Sequence, residues 1–265
     1  MAIKEPKTTL VTWTQQPIKA IASQVKNMMG EMVHDLDEIS MGEALEILDE
    51  LKRTELKGAL ETVDLVFQVE GVPRAFTHQM VRTRVGATYH QESLRFQTRE
   101  GGFDYHIGPS IKGNETRQTE FEQAMQAVAQ AYDALAEDGA ETQDARGVLP
   151  INVCTKIGYK VNLKTLMHVA HTRLCHQSQP HWFKVVTAMK EQVAEKLHPK
   201  LAEFLQPWCQ AKGKCGFKAI FDRDCPVEKQ LITEICQDCH LSEQCSLSAE
   251  GVYCNAITQL MDMEV

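Results

Sequence analysis

Residues 79–96 read QMVRTRVGATYHQESLRF, and the rest of the chain is organised around them. Arg82, Arg84 and Arg95 fall within fourteen residues, interleaved with Thr83, Thr88, Gln91 and Ser93. A guanidinium is a rigid fork of donors that meets phosphate oxygens two at a time. Hydroxyls and backbone N–H groups complete the shell of such an anion. Runs of charge are commonly solvated faces, yet this one is set in a chain of formal net charge −8. A sequence-independent grip on nucleic acid needs a basic surface, so that role is disfavoured. A local arginine cluster on an acidic background suits a small anionic ligand.

Immediately upstream, Val63-Asp-Leu-Val-Phe-Gln-Val69 alternates and is rich in β-branched residues, which predicts a strand. Gly71-Val-Pro73 is expected to break it. Residues 74–84 read as a helix with Ala75, Phe76, Met80 and Val81 on its apolar side. Gln79 and Arg82 are three apart and share a face. Gly86 is placed to end the helix, and residues 87–98 read as extended. The arginines therefore fall where a helix gives way to a loop and a strand, a setting in which ligand pockets form.

Farther out, residues 1–38 carry no periodicity that assigns an element. Ser40-Met-Gly-Glu43 has the spacing of a capping box and precedes Leu45, Leu48, Leu51 and Leu56 at helical spacing. Residues 99–118 read as a loop through Gly101, Gly102, Gly108, Pro109 and Gly113. Thr119-Glu-Phe-Glu122 is a second capping box, expected to open a helix that runs to Gly139 through Phe121, Met125, Val128, Tyr132 and Leu135. Arg146 and Pro150 bracket a turn. Asn162 is expected to cap a helix reaching about Ser178. Leu163, Leu166, Met167, Ala170 and Leu174 form its apolar arc. Lys164, His168, His171 and Cys175 line one border of that arc, and Arg173 the other. A guanidinium at the edge of a core needs an anion or it costs stability. Residues 182–205 read as helical, with Pro199 at the first turn of a second segment.

The chain has 265 residues, 43% of them hydrophobic and 24% charged, as in ordinary soluble domains. Its start lacks an apolar stretch of signal-peptide length, and no apolar run reaches the roughly 18 residues of a membrane span. The reading is a cytoplasmic protein.

The separated blocks add up to a family. Phe67-Gln-Val-Glu-Gly-Val-Pro-Arg-Ala-Phe76, Gln79-Met-Val-Arg82-Thr-Arg84 and Gln91-Glu-Ser93-Leu-Arg95-Phe96 resemble the flavin-dependent thymidylate synthases. Their signature is Arg-His-Arg, seven residues, then Ser. Ala145-Arg146-Gly-Val-Leu-Pro150 resembles a second element of the family. Asn162-Leu-Lys164, His168, Arg173 and Gln179 resemble a third. The likeness covers roughly residues 60–190. Thr83 stands where the signature has His, and eight residues separate Arg84 from Ser93. Either Gln91 or Glu92 therefore falls where the family has Glu. Lys164 replaces an Arg and His168 an Asn.

The resemblance implies an α+β fold, a mixed sheet packed with helices, in a homotetramer with FAD at subunit junctions. It implies dUMP as substrate, with methylenetetrahydrofolate and NADPH as co-substrates. Gln79, Arg82, Gln91, Glu92, Ser93, Arg95, Arg146 and Arg173 are the candidates for dUMP. Glu61, Arg82, Thr83, Arg84, Asn162, Lys164 and His168 are those for FAD. Arg173 is the candidate catalytic residue, stabilising charge on the pyrimidine as C5 becomes nucleophilic. Ser93 is assigned to binding. An attacking serine requires an adjacent base, and His90 in an extended segment points to the other face. Cys154 and Cys175 read as buried or incidental.

Residues 1–206 are read as the catalytic domain and residues 207–265 as a cysteine-rich extension. Seven of the nine cysteines follow residue 200. Disulfides rarely persist in the cytoplasm. Cys225, Cys236, Cys239 and Cys245 form a credible four-thiolate set for zinc or an iron–sulfur cluster, as a structural staple. Two other functions compete with thymidylate synthesis. One is a different C5 modification, such as dUMP hydroxymethylation or uridylate methylation. The other is a metal-stabilised nucleic-acid-binding module, against which the acidic charge speaks.

Overall fold

A four-stranded sheet carries the structure, a computed structural model that describes residues 1–212 together with Cys215 and Cys225. The chain divides into two units, Met1–Lys214 and Cys215–Val265. In chain order the elements are β1 (Lys7–Trp13), α1 (Pro17–Met28), α2 (Met41–Arg53), β2 (Asp64–Pro73), α3 (Arg74–Met80), β3 (Ala87–Gln91), α4 (Pro109–Lys112), α5 (Glu115–Glu137), α6 (Thr142–Ala145), β4 (Cys154–Asn162), α7 (Leu163–Arg173), α8 (Pro180–Lys196), α9 (Pro199–Ala202) and α10 (Trp208–Lys212). The α+β class read from the sequence holds. The strand order is β1-β2-β4-β3, and its three ladders are antiparallel rather than mixed. A parallel pairing among the described residues is the isolated bridge between Ile3 and Tyr105. No helix among the described residues is long and apolar enough to cross a membrane.

The β2–β4 ladder is the centre of the core. Leu65, Phe67 and Val69 of β2 lie directly opposite Val161, Tyr159 and Ile157 of β4. All six are buried, because alternate residues of a strand share one face. Each such large apolar side chain contributes about 1.5–3 kcal/mol on burial. The expected break at Gly71 is instead a bulge: the register shifts between Glu70 and Val72, and the strand continues to Pro73. Gly71 has φ +70°, and a Cβ there would lie 2.4 Å from the Glu5 carbonyl oxygen. The kink thus serves a close backbone approach. A smaller cluster of Leu94, Phe103, Tyr105, Ile107, Met125, Ala129 and Val153 packs around α5.

Several helix boundaries follow their caps. Ser40 Oγ accepts from the Glu43 N–H at 3.2 Å, as the capping box requires. Leu56 falls beyond α2 and is 66% exposed. Helix α5 starts earlier than expected, because Asn114 caps it by accepting from the Arg117 N–H at 3.0 Å. Thr119 lies inside that helix, its hydroxyl donating to the Glu115 carbonyl. Asn162 caps α7 as expected, accepting from the Thr165 N–H at 2.8 Å. That helix ends at Arg173, not near Ser178. Pro180 opens α8 and drives Gln179 out of helical geometry. Helix α3 ends at Met80 rather than at residue 84, where the Arg82 and Thr83 N–H groups turn back to the Gln79 and Met80 carbonyls in i→i−3 bonds.

Gly86 turns the chain from α3 into β3 with φ +70°. A Cβ there would sit 2.3 Å from Thr165 Oγ1 and 2.4 Å from Asn162 Nδ2. Left-handed backbone costs an L-residue about 1–2 kcal/mol, and the collision raises the loss for Gly86→Ala to about 2–4 kcal/mol. Gly139 has φ +82° with nothing within 4 Å of an added Cβ. Thermal unfolding should therefore show Gly86→Ala lowering Tm by about 5–12 °C, and Gly139→Ala by about half as much or less. Equal shifts would refute the packing of residue 86 on the cap of α7.

Candidate active site

The arginine-rich stretch is fixed through its backbone. The Asn162 N–H donates to the Gly86 carbonyl at 2.9 Å, and the Thr165 hydroxyl donates to the Val85 carbonyl at 3.1 Å. The Tyr89 hydroxyl donates to the Thr83 carbonyl at 2.7 Å, and its ring stacks on Tyr159 with centroids 5.2 Å apart. Burial pushes the Tyr89 phenol above its usual value, so it remains a donor. Residues 83–86 are therefore held firmly, while the side chains of Arg82 and Arg84 are exposed and make no ion pair among the described residues. A guanidinium on fixed backbone without an acid partner is ready for an external anion.

Beyond β3 the signature splits into inward and outward residues. Gln91 donates its amide to the Thr77 hydroxyl at 2.7 Å. Glu92 turns inward. Its N–H donates to the Lys156 carbonyl, its carboxylate pairs with Arg99 at 3.1 Å and accepts from the Thr155 hydroxyl at 3.4 Å, and its carbonyl accepts from Arg74 at 3.1 Å. Burial lowers the Arg74 pKa, and the charge of Glu92 opposes that shift. Ser93 follows in a turn, its hydroxyl accepting from the Arg95 N–H at 3.3 Å. Arg95 is exposed without an ion-pair partner among the described residues, and Phe96 beside it is 82% exposed. Arg146 is also exposed, its Nε donating to the Gln143 carbonyl at 3.1 Å.

A cavity of about 640 Å³ lies on the inner side of this segment, lined by Glu92, Gln97, Thr98 and Arg99 with Lys4, Glu70, Asp104 and Thr155 among others. Most of its charges are paired, Lys4 with Asp104 and Lys7 with Glu70 as well as Arg99 with Glu92, while Lys156 makes no ion pair among the described residues. Arg82, Arg84, Arg95, Arg146 and Arg173 do not line it. The candidate anion-binding arginines thus stand on open surface.

Arg173 is the exception to full exposure. The guanidinium at the end of α7 lies over the Trp182 ring, 4.5 Å from its centroid. Burial lowers its pKa. The anion expected beside it is not a side chain of the described residues; an indole face occupies that place. Trp182 in turn donates its indole N–H to Gln79 Oε1 at 3.0 Å and packs on Phe76 at 4.2 Å. Gln79 of α3 and Arg173 of α7 are thereby brought onto one residue of α8. Sequence reasoning did not single out Trp182, since its partners lie on two other helices.

The remaining candidates gather at the start of α7. Glu61 and Lys164 form a 2.6 Å ion pair. Asn162 commits its Oδ1 to the helix cap and leaves its amide NH2. His168 is exposed and meets His171 edge to face at 5.9 Å. His171, expected on the wet border, is buried against Trp208, and burial lowers its pKa. Cys154 is a half-buried thiol pushed up to about 12 by burial, unsuited to nucleophilic attack. Among the described residues no group of three or more His, Cys, Asp or Glu could hold a metal ion. Cys236, Cys239 and Cys245 of the expected ligand set lie outside the described residues.

Residues 9–200 match the family described as thymidylate synthase complementing protein. A flavin-dependent thymidylate synthase of Geobacter sulfurreducens is 35% identical over 176 residues, covering 65% of this chain and 75% of that protein. One from Clostridium tetani is 33% identical over 232 residues, covering 79% of this chain and 90% of its own length. In fold, the chain is similar to the crystal structure of a UMP/dUMP methylase from Streptomyces cacaoi bound with 5-Br dUMP. That likeness has a TM-score of 0.66 at 18% identity, over 77% of this chain and 96% of the other. With the family match spanning most of the chain, and a relative 33% identical over 79% of it, the chain belongs to the flavin-dependent thymidylate synthase family.

Proposed function

We propose that this chain converts dUMP to dTMP, with FAD as cofactor, methylenetetrahydrofolate as one-carbon donor and NADPH as reductant. The observation that carries the reading is the half-buried Arg173 guanidinium, stacked on an indole, without an acid partner among the described residues, beside the Gln79 amide. A uracil ring offers carbonyl acceptors to both. As C5 becomes nucleophilic, negative charge gathers on the ring, and Arg173 is the group that stabilises it. Arg82, Arg95, Arg146 and Ser93 are assigned to the nucleotide, its phosphate above all, with Gln91 and Glu92 beside them. Gln91 and Glu92 are held by Thr77 and Arg99 and are assigned to the positioning of Ser93.

The donor set also fits a dinucleotide cofactor. Arg82 and Arg84, without an ion pair among the described residues, suit a pyrophosphate, and Thr83, Glu61, Asn162, Lys164 and His168 are assigned to the polar groups around it. When bound, the flavin supplies the reducing equivalents for the transferred carbon. The protein contributes placement and electrostatics. Because the arginines stand on open surface, a second copy must close the site, and a homotetramer is the assembly proposed. Val85, 86% exposed, and Phe96 lie in the same stretch and are suited to that contact. The location proposed is the cytoplasm. Residues 207–265 are proposed as a separate extension, with Cys225, Cys236, Cys239 and Cys245 holding zinc or an iron–sulfur cluster.

The purified protein should be yellow, with flavin bands at about 370 and about 450 nm, and should form dTMP from dUMP, NADPH and methylenetetrahydrofolate. A colourless protein that takes up no added FAD would overturn the reading, and a hydroxymethyl product would redirect it. Arg173→Ala should lower kcat for dTMP formation by about 10²–10³ while the flavin bands persist. A loss smaller than about threefold would remove Arg173 from the chemistry.

A further inference from the structure

We propose that Trp182 is a positioning residue that sets Arg173 and Gln79 together, so that both turn hydrogen-bond donors toward one acceptor-rich ring. For its ligand, a uracil nucleotide, the inference rests on the function proposed above. The geometry stands independently. Trp182 is the third residue of α8 and is 3% exposed. Its ring packs on Phe76 of α3 at 4.2 Å and carries the Arg173 guanidinium at 4.5 Å.

Two consequences follow from the chemistry of indole. Its N–H is a donor and never an acceptor. The Gln79 atom 3.0 Å away must therefore be the carbonyl oxygen, which fixes the amide's orientation and leaves its NH2 without a partner among the described residues. The ring face attracts the guanidinium through its quadrupole and leaves the in-plane N–H donors uncommitted. The Arg173 side chain makes no hydrogen bond or ion pair among the described residues, so those donors remain for a ligand. A lysine could not hold the same pose, lacking both the plane and the fork. Arg173 and Gln79 come from α7 and α3, and Trp182 is a single rigid ring in contact with both. It thereby fixes their separation, and misplacement by about 1 Å can cost a reaction about a hundredfold.

Trp182→Phe keeps a ring and loses the N–H, whereas Trp182→Leu loses both. Each is read by dUMP kinetics, flavin absorbance and Tm, and by phenylglyoxal labelling of Arg173 relative to Arg146 in the same sample. Trp182→Phe should raise KM for dUMP about fivefold or more with kcat within about threefold. Trp182→Leu should lower kcat about thirtyfold and speed labelling of Arg173 about fivefold, and should add less than about twofold in an Arg173→Lys background. Equal losses in both backgrounds would overturn the inference, leaving a packing role. Unchanged labelling of Arg173 in Trp182→Leu would also overturn it. Should Trp182→Leu fail to fold, the Trp182→Phe split between KM and kcat decides alone. A wild-type protein that forms no dTMP would refute the proposed function, and the labelling would still decide whether Trp182 holds Arg173.

Discussion

The N–H of Asn162 donates to the Gly86 carbonyl, and its side chain accepts from Thr165, whose hydroxyl returns to the Val85 carbonyl. This closed set of bonds joins the end of β4, the start of α7 and the turn between α3 and β3. Each group involved is a backbone or short side-chain donor or acceptor, and the backbone ones would be orphaned at a helix N-terminus or in a turn. Satisfying them mutually locks the arginine-bearing segment to the centre of the sheet. Gly86 is required because any Cβ would occupy the space of the two capping side chains.

On that fixed backbone the charges are divided. The one carboxylate of the signature, Glu92, is committed to Arg99, and Lys164 is committed to Glu61. Arg82, Arg84 and Arg95 are left exposed without acids among the described residues. An external anion can meet such guanidinium groups without displacing an acid or rebuilding the frame. Arg173 follows different physics. It is desolvated and stacked, so it is oriented before a ligand arrives.

The parts of the fold that rest on local chemistry were legible in the sequence. The Ser40 and Asn162 caps and the alternation of Leu65, Phe67 and Val69 are short-range signals, and the structure repeats them. Strand β1 was not legible: it sits at the sheet edge with Leu10 as its buried residue, so it lacks a period of two. Strand β4 was not assigned, although Thr155, Ile157, Tyr159 and Val161 alternate with Lys156, Gly158 and Lys160 at the period of a strand. Thr119–Glu122 has a capping pattern, but Asn114 lies upstream, and the earlier cap prevailed. The arginines of the site were visible as types and spacings. Trp182 was not, because what it touches is set by three helices converging rather than by neighbours in the chain.

The eight-residue spacing between Arg84 and Ser93 has a structural resolution in Glu92. In a pleated strand one added residue exchanges the two faces of everything after it. Here β3 ends before any such exchange: Glu92 takes an inward place against Arg99 and Thr155, and Ser93 follows in a turn. The eight residues between Arg84 and Ser93 are thus accommodated without disturbing the sheet: a half-buried ion pair takes up Glu92, and the ladder of β3 on β4 keeps its register.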